Sequence, residues 1–148
     1  MASYPGFLIS RQWRDTPTGL VLRYWLHTEA GPLLVEQENQ EGVFFIEAPN
    51  LNKALILTRS LLHRHRSLEL KSFSQETVSA FYFTSQRSLR SAATILKENG
   101  IDPLEADVRT VDRYLMERFI TSALSVTIEA THVQDQCLTV QNAKLKPA

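Results

Sequence analysis

Asp15-Thr16-Pro17-Thr18-Gly19-Leu20-Val21-Leu22-Arg23-Tyr24-Trp25-Leu26-His27-Thr28 reads as a turn feeding a strand. Proline presets φ in the turn, and glycine tolerates the positive φ that can follow. Beyond it, Leu20, Leu22, Tyr24 and Leu26 share one face of a two-residue alternation. Upstream, Phe7, Ile9 and Trp13 fall on one face, with Ser10 and Gln12 opposite. Downstream, Ala30-Gly31-Pro32 breaks the chain before Leu33-Leu34-Val35, and Asn39 to Gly42 turns it again into Val43-Phe44-Phe45-Ile46. The pattern predicts an antiparallel meander of about four strands.

Helical spacing takes over next. Asn50 is an expected N-cap for a helix over Leu51 to Leu62, with Leu51, Ala54, Leu55, Thr58 and Leu62 on one face. Leu68-Glu69-Leu70 and Val78 to Phe83 read as strands, the second rich in aromatic and β-branched residues. From Gln86 to Asn99, Leu89, Ala92, Ala93 and Leu96 recur at helical spacing, and Gly100 stands where a left-handed C-cap belongs. An extended piece at Leu104 to Val108 precedes a last helix, Val111 to Phe119, with Val111, Tyr114, Leu115 and Phe119 as its buried stripe. Ser125 to Ala130 and Leu138 to Leu145 read as a closing hairpin. The fold class is α+β, a strand meander in front and helix–strand units behind. One domain over residues 1–148 is expected, divisible into a strand-rich part at about 1–48 and an α+β part at about 49–148.

Composition narrows the function classes. Sixteen Lys+Arg balance sixteen Asp+Glu, so the net charge is zero. Strong duplex-DNA binding by these residues alone is disfavoured, because phosphate neutralisation supplies most of such affinity. No apolar run approaches the roughly 20 residues a membrane helix needs. The first residues lack a signal-peptide pattern. The lone Cys137 excludes an internal disulfide and fits a cytoplasmic setting.

Chemistry-bearing constellations are sparse. Glu105 and Asp107, two apart in an expected strand, would face the same way. With no further carboxylate close by, ion pairing and the N-terminus of the following helix account for them better than a metal does. His63-Arg64-His65-Arg66, with Arg59 a turn earlier, is the most basic short run, expected at a solvated helix end. No second pair of ligands accompanies its histidines, so zinc is not expected. No Gly-x-Ser-x-Gly elbow, phosphate loop or dinucleotide fingerprint occurs, and no catalytic or metal-binding residue is assigned. Most of the aromatics Trp13, Tyr24, Trp25, Phe44, Phe45, Tyr82 and Phe83 are expected in the core.

Two blocks carry a resemblance. Gly6-Phe7-Leu8-Ile9-Ser10-Arg11-Gln12-Trp13-Arg14-Asp15-Thr16-Pro17 resembles the opening of bacterial family B DNA polymerases of the DNA polymerase II type. Glu105-Ala106-Asp107-Val108-Arg109, followed by Arg113-Tyr114-Leu115-Met116-Glu117-Arg118-Phe119-Ile120-Thr121-Ser122, resembles the block that closes that family's N-terminal domain. Thr110-Val111 departs from the proline-containing helix start of the family. The likeness spans nearly the whole chain and is firm at these blocks.

The resemblance implies a parent that adds deoxynucleotides to a primer on a DNA template and proofreads with a 3′–5′ exonuclease, in replication, repair and lesion bypass. Magnesium ions held by carboxylates are implied for the parent, beyond these residues. Its implied partners are the exonuclease and polymerase domains of the same chain, absent here, and the single-stranded template. Arg59, Arg64 and Arg66, with Arg87 and Arg90 as a second cluster, are the arginines whose planar forks suit template phosphates. The competing readings are a free-standing single-stranded nucleic-acid-binding module on a small sheet and a structural docking domain.

Overall fold

The computed structural model describes residues 2–29, 31–118, 120, 123–128 and 138–147. In chain order the elements are β1 (Ala2–Thr16), β2 (Gly19–Thr28), β3 (Gly31–Gln40), β4 (Gly42–Glu47), α1 (Leu51–Leu57), β5 (Arg64–Lys71) and β6 (Thr77–Phe83). Then follow α2 (Gln86–Glu98), α3 (Thr110–Glu117), β7 (Ala123–Ile128), β8 (Leu138–Gln141) and β9 (Lys144–Pro147). They sort into two units, residues 1–40 with 110–148, and residues 41–109. The expected division near residue 48 is therefore replaced: β4 leaves the front meander, and the last third of the chain returns to it.

In the first unit β1, β2 and β3 form the antiparallel meander. Gly19 lies so close to β3 that a Cβ would stand 3.2 Å from the Asn39 Cα, at a φ of +149°. Leu20, Leu22, Tyr24 and Leu26 are all completely buried, as their alternation requires. The expected face of β1 is corrected. A bulge between Leu8 and Ser10 shifts the register, so Leu8 and Trp13, five residues apart, pack on the same core while Phe7 and Ile9 are exposed.

α3 caps this core with Val111, Tyr114 and Leu115, packed with the buried side chains of β2 and β3. Phe119, the fourth member of the expected stripe, lies outside the described residues, as does Cys137. β7 pairs antiparallel with β1, β8 parallel with β3, and β9 antiparallel with β7. The expected closing hairpin holds at its end, where Lys144 and Leu145 pair with Thr127 and Val126, and is corrected for Leu138–Gln141, which takes β3 as its neighbour. Asn142, at φ +53°, turns the chain there, its N–H donating to Glu36 O at 2.6 Å and its Oδ1 accepting from the Glu38 N–H at 2.8 Å. β8 and β9 sit at opposite edges of the sheet order β8-β3-β2-β1-β7-β9, yet only two residues separate them. The sheet must curl until its edges meet, giving the connectivity of an OB-type barrel.

The second unit has strand order β4-β6-β5, all antiparallel. Leu104 adds a bridge on the free edge of β4, with Phe45 N–H to Leu104 O at 3.0 Å and Leu104 N–H to Phe45 O at 2.8 Å. The order β-α-β-β-α is that of a split βαβ whose last strand is reduced to the Leu104 bridge. α2 follows its sequence closely: Leu89, Ala92, Ala93 and Leu96 are buried, the Ser85 hydroxyl accepts from the Ser88 N–H at 3.0 Å, and Gly100 closes the helix at φ +78°.

Three expectations here are corrected. α1 stops at Leu57; the buried Thr58 hydroxyl donates back to Ala54 O at 2.8 Å, and the chain then turns with the Leu61 and Leu62 N–H groups on Thr58 O. Asn50 makes no side-chain cap; it ends a 3₁₀ turn, Ala48–Asn50, that leads into the helix. Leu104 to Val108 is not a strand beyond its first residue: Glu105 sits at φ +61° and its carbonyl accepts from the Val108 N–H, so alternation does not set Glu105 and Asp107 on one face.

Candidate nucleic-acid interface

Register assigns each residue of the 41–109 sheet to a face. Phe44 pairs with Phe81, and both, with Ile46 and Phe83, are buried against Leu89, Ala92 and Leu96 of α2 and Ala54 of α1. Alternation therefore sends Val43, Phe45 and Glu47 of β4, and Val78, Ala80 and Tyr82 of β6, to the helix-free face. Arg64 pairs with Tyr82 and Arg66 with Ala80, so both arginines join that face.

The tip of the β5–β6 hairpin stands beside this face. The Ser72 N–H donates to Glu76 O and the Gln75 N–H to Ser72 O, each at 2.9 Å, and the Ser72 hydroxyl donates to Glu47 Oε2 at 2.7 Å. Between these ties Phe73 is fully exposed, and Leu70, just before them in β5, is 62% exposed. Phe45, Val78 and Leu104, with Leu70, Lys71, Phe73, Gln75 and Glu105, line a cleft of about 620 Å³. A hollow of about 310 Å³ in the other unit borders Tyr114 and Arg118, where the guanidinium covers the Tyr114 ring at 3.5 Å.

The candidate arginines do not gather into one patch. Arg64 is held bidentate by Glu41, Nη2 to Oε1 at 2.7 Å and Nε to Oε2 at 3.0 Å, with its guanidinium 3.8 Å from the Tyr82 ring centre. The Arg64 hydrogen bond holds the Glu41 carboxyl below the usual carboxylate range, and the same bond raises Arg64. Arg66 is exposed on the same face, and Arg59 is exposed in the turn after α1. Arg87 and Arg90 are exposed on α2, which covers the opposite face. The expected helix end at His63 to Arg66 is corrected to the start of β5, with His65 against Phe81 at 6.0 Å and His63 Nε2 3.8 Å from Glu41. Among the described residues no group of three or more His, Cys, Asp or Glu could hold a metal ion.

Of the seven aromatics expected mostly in the core, Tyr24, Phe44 and Phe83 are buried, while Trp13, Trp25, Phe45 and Tyr82 are half-buried. The cleft and Phe73 were not anticipated. The available signal was an aromatic set between Ser72 and Ser74, polar turn residues joining two strands.

Comparison with known proteins places the fold first in a class. The family B DNA polymerase of the hyperthermophilic archaeon Pyrobaculum calidifontis superposes with a TM-score of 0.73 over 93% of this chain and 19% of that one, at 12% identity. The fold is thus one found in a family B DNA polymerase. Sequence is more specific: the chain is 41% identical over 143 residues to the DNA polymerase II of Escherichia coli strain K12. That alignment covers 96% of this chain and 18% of the length of the relative. The family described as DNA polymerase II, N-terminal, matches residues 6–41, which contain the first of the two blocks quoted above. This chain is similar to the N-terminal domain of bacterial DNA polymerase II, as those blocks indicate.

Proposed function

We propose that these residues form the non-catalytic N-terminal domain of a DNA-directed DNA polymerase with 3′–5′ proofreading, acting in replication, repair and lesion bypass. The domain packs on the exonuclease of the same chain and borders the single-stranded template in the cytoplasm. The observation that carries this reading is the 41% identity over nearly the whole chain to a DNA polymerase II. Magnesium would supply the two-metal chemistry of polymerisation in the parent, on carboxylates beyond these residues, and no step is assigned to a side chain here. No helix of the described residues is long and apolar enough to cross a membrane.

The contribution of this domain is positional. Balanced charge keeps its own hold on DNA weak, so a template strand is guided by a few local contacts and released as synthesis proceeds. Two measurements test the proposal. Incubated with primed template, magnesium and nucleotides, the 148-residue protein leaves the primer unextended and untrimmed; extension or trimming by a contaminant-free preparation contradicts it. In fluorescence anisotropy a labelled single strand binds weakly and loses affinity as salt rises; no binding at low salt removes the template contact.

A further inference from the structure

The two edges of the sheet in residues 41–109 are treated differently. Leu104 bridges to Phe45 on the outer edge of β4. At the other end of the order β4-β6-β5, among the described residues nothing pairs with the outer edge of β5. Every residue of β5 is exposed except Leu68, which is half-buried. An edge strand of this kind presents a row of unpaired N–H and C=O groups, a template on which another extended chain can add. Its register with β6 runs unbroken from Arg64 to Ser67 and shifts before Lys71. Such a bulge bends the strand and spoils its second half as a template. The first half stays regular and open.

We propose that the outer edge of Arg64–Ser67 accepts an extended, acidic segment of a partner protein as an added strand. Backbone hydrogen bonds supply the hold in this mode of recognition, and side chains at alternate positions supply the selection. The paired half of β5 carries Arg64, His65 and Arg66 and no carboxylate, while Glu69 lies in the shifted half. Arg64 turns inward over the Tyr82 ring and is held by Glu41. Arg66 pairs with Ala80, is exposed, and among the described residues has no carboxylate beside it. A carboxylate on the added strand, directly across from Arg66, meets an opposite charge on the helix-free face. The same cation works against a second copy of β5, because two such edges would bring arginines together. The edge thus selects by sign, against its own kind and for an acidic strand. This inference goes beyond the template reading and does not depend on it.

The test uses a labelled peptide as long as β5 that alternates glutamate with valine, beside a lysine–valine peptide of equal length. Two further glutamate–valine peptides are N-methylated, each on one of the two alternating sets of amides. The 148-residue protein should bind the glutamate–valine peptide in fluorescence anisotropy and not the lysine–valine one. Amide hydrogen exchange within Arg64–Ser67 should slow on binding. One N-methylated peptide should bind about tenfold more weakly, because it cannot donate to the edge. Arg66→Glu, an exposed change that should keep the wild-type thermal midpoint, should reverse the preference between the two charges. If both N-methylated peptides bind like the parent peptide, or exchange in Arg64–Ser67 is unchanged, no strand adds and the inference is overturned. Equal binding of the lysine–valine peptide overturns the selection by charge. Sedimentation showing a dimer that Arg66→Glu alters would give the edge to a second copy instead. If an oligonucleotide slows the same amides and the peptide does not, the edge serves nucleic acid and the proposal fails. It fails also if a polymerase carrying this domain does not bind the peptide that the 148-residue protein binds, since its own chain then covers β5.

Discussion

Tyr24 is completely buried, and its hydroxyl donates to Val111 O at 2.6 Å, tying β2 to the start of α3. Burial, more than any neighbouring charge, raises its pKa far above the usual phenol value, and burial raises that of Tyr114, whose ring centre is 5.5 Å away. A raised folded-state pKa means stability that is complete below the unfolded value of about 10 and is lost as pH rises beyond it. Tyr24→Phe should lower unfolding free energy by about 1 kcal/mol at neutral pH and lose less than the wild type between about pH 7 and pH 11. Urea midpoints at the two pH values check this; an equal alkaline loss in the variant assigns the titration elsewhere. Glu41 behaves oppositely. Its lowered pKa gives stability present above the ordinary carboxylate range and lost as pH falls through the folded value, small because the Arg64 pair is exposed. That pair also ranks the arginines. Arg64 is already satisfied by Glu41, so Arg66→Glu should reduce single-strand affinity and its salt slope more than Arg64→Glu does. Anisotropy at two salt concentrations decides the order, and equal losses contradict it.

At the scale of elements, α3 holds its unit's core through one stripe. Leu115 is 1% exposed there, and Leu115→Ala should cost about 2–5 kcal/mol. An unchanged denaturation midpoint would mean that the stripe faces elsewhere. This stripe was legible in the sequence, as was that of α2, because 3.6-residue periodicity and caps are local properties. What stayed hidden depends on partners distant in sequence. The alternation of β4 says that it is a strand, yet not that it pairs with β6 instead of β3. The bulge at Ile9 is one extra residue, and it reverses the face of everything before it. α1 ends at Leu57, earlier than its apolar spacing reports, so the basic run that reads as a helix end folds as the start of β5, paired with β6. The five candidate arginines were legible as cations, but not that Arg64 and Arg66 lie on one face of a sheet, Arg87 and Arg90 on the helix over the other, and Arg59 in the turn after α1. Phe73 was passed over because an aromatic is read as core by default.

For the whole molecule, the chain divides into two units, residues 1–40 with 110–148 and residues 41–109. The central claim is that these residues can serve as the N-terminal domain of a DNA polymerase II. The most direct measurement replaces the aligned N-terminal stretch of the Escherichia coli enzyme, to which this chain is 41% identical over 143 residues, and assays primer extension by the chimaera. The account predicts a soluble chimaera, with one cooperative melting transition, that extends a primed template at a rate comparable with the parent enzyme. A chimaera that folds and stays soluble yet extends no primer would contradict it.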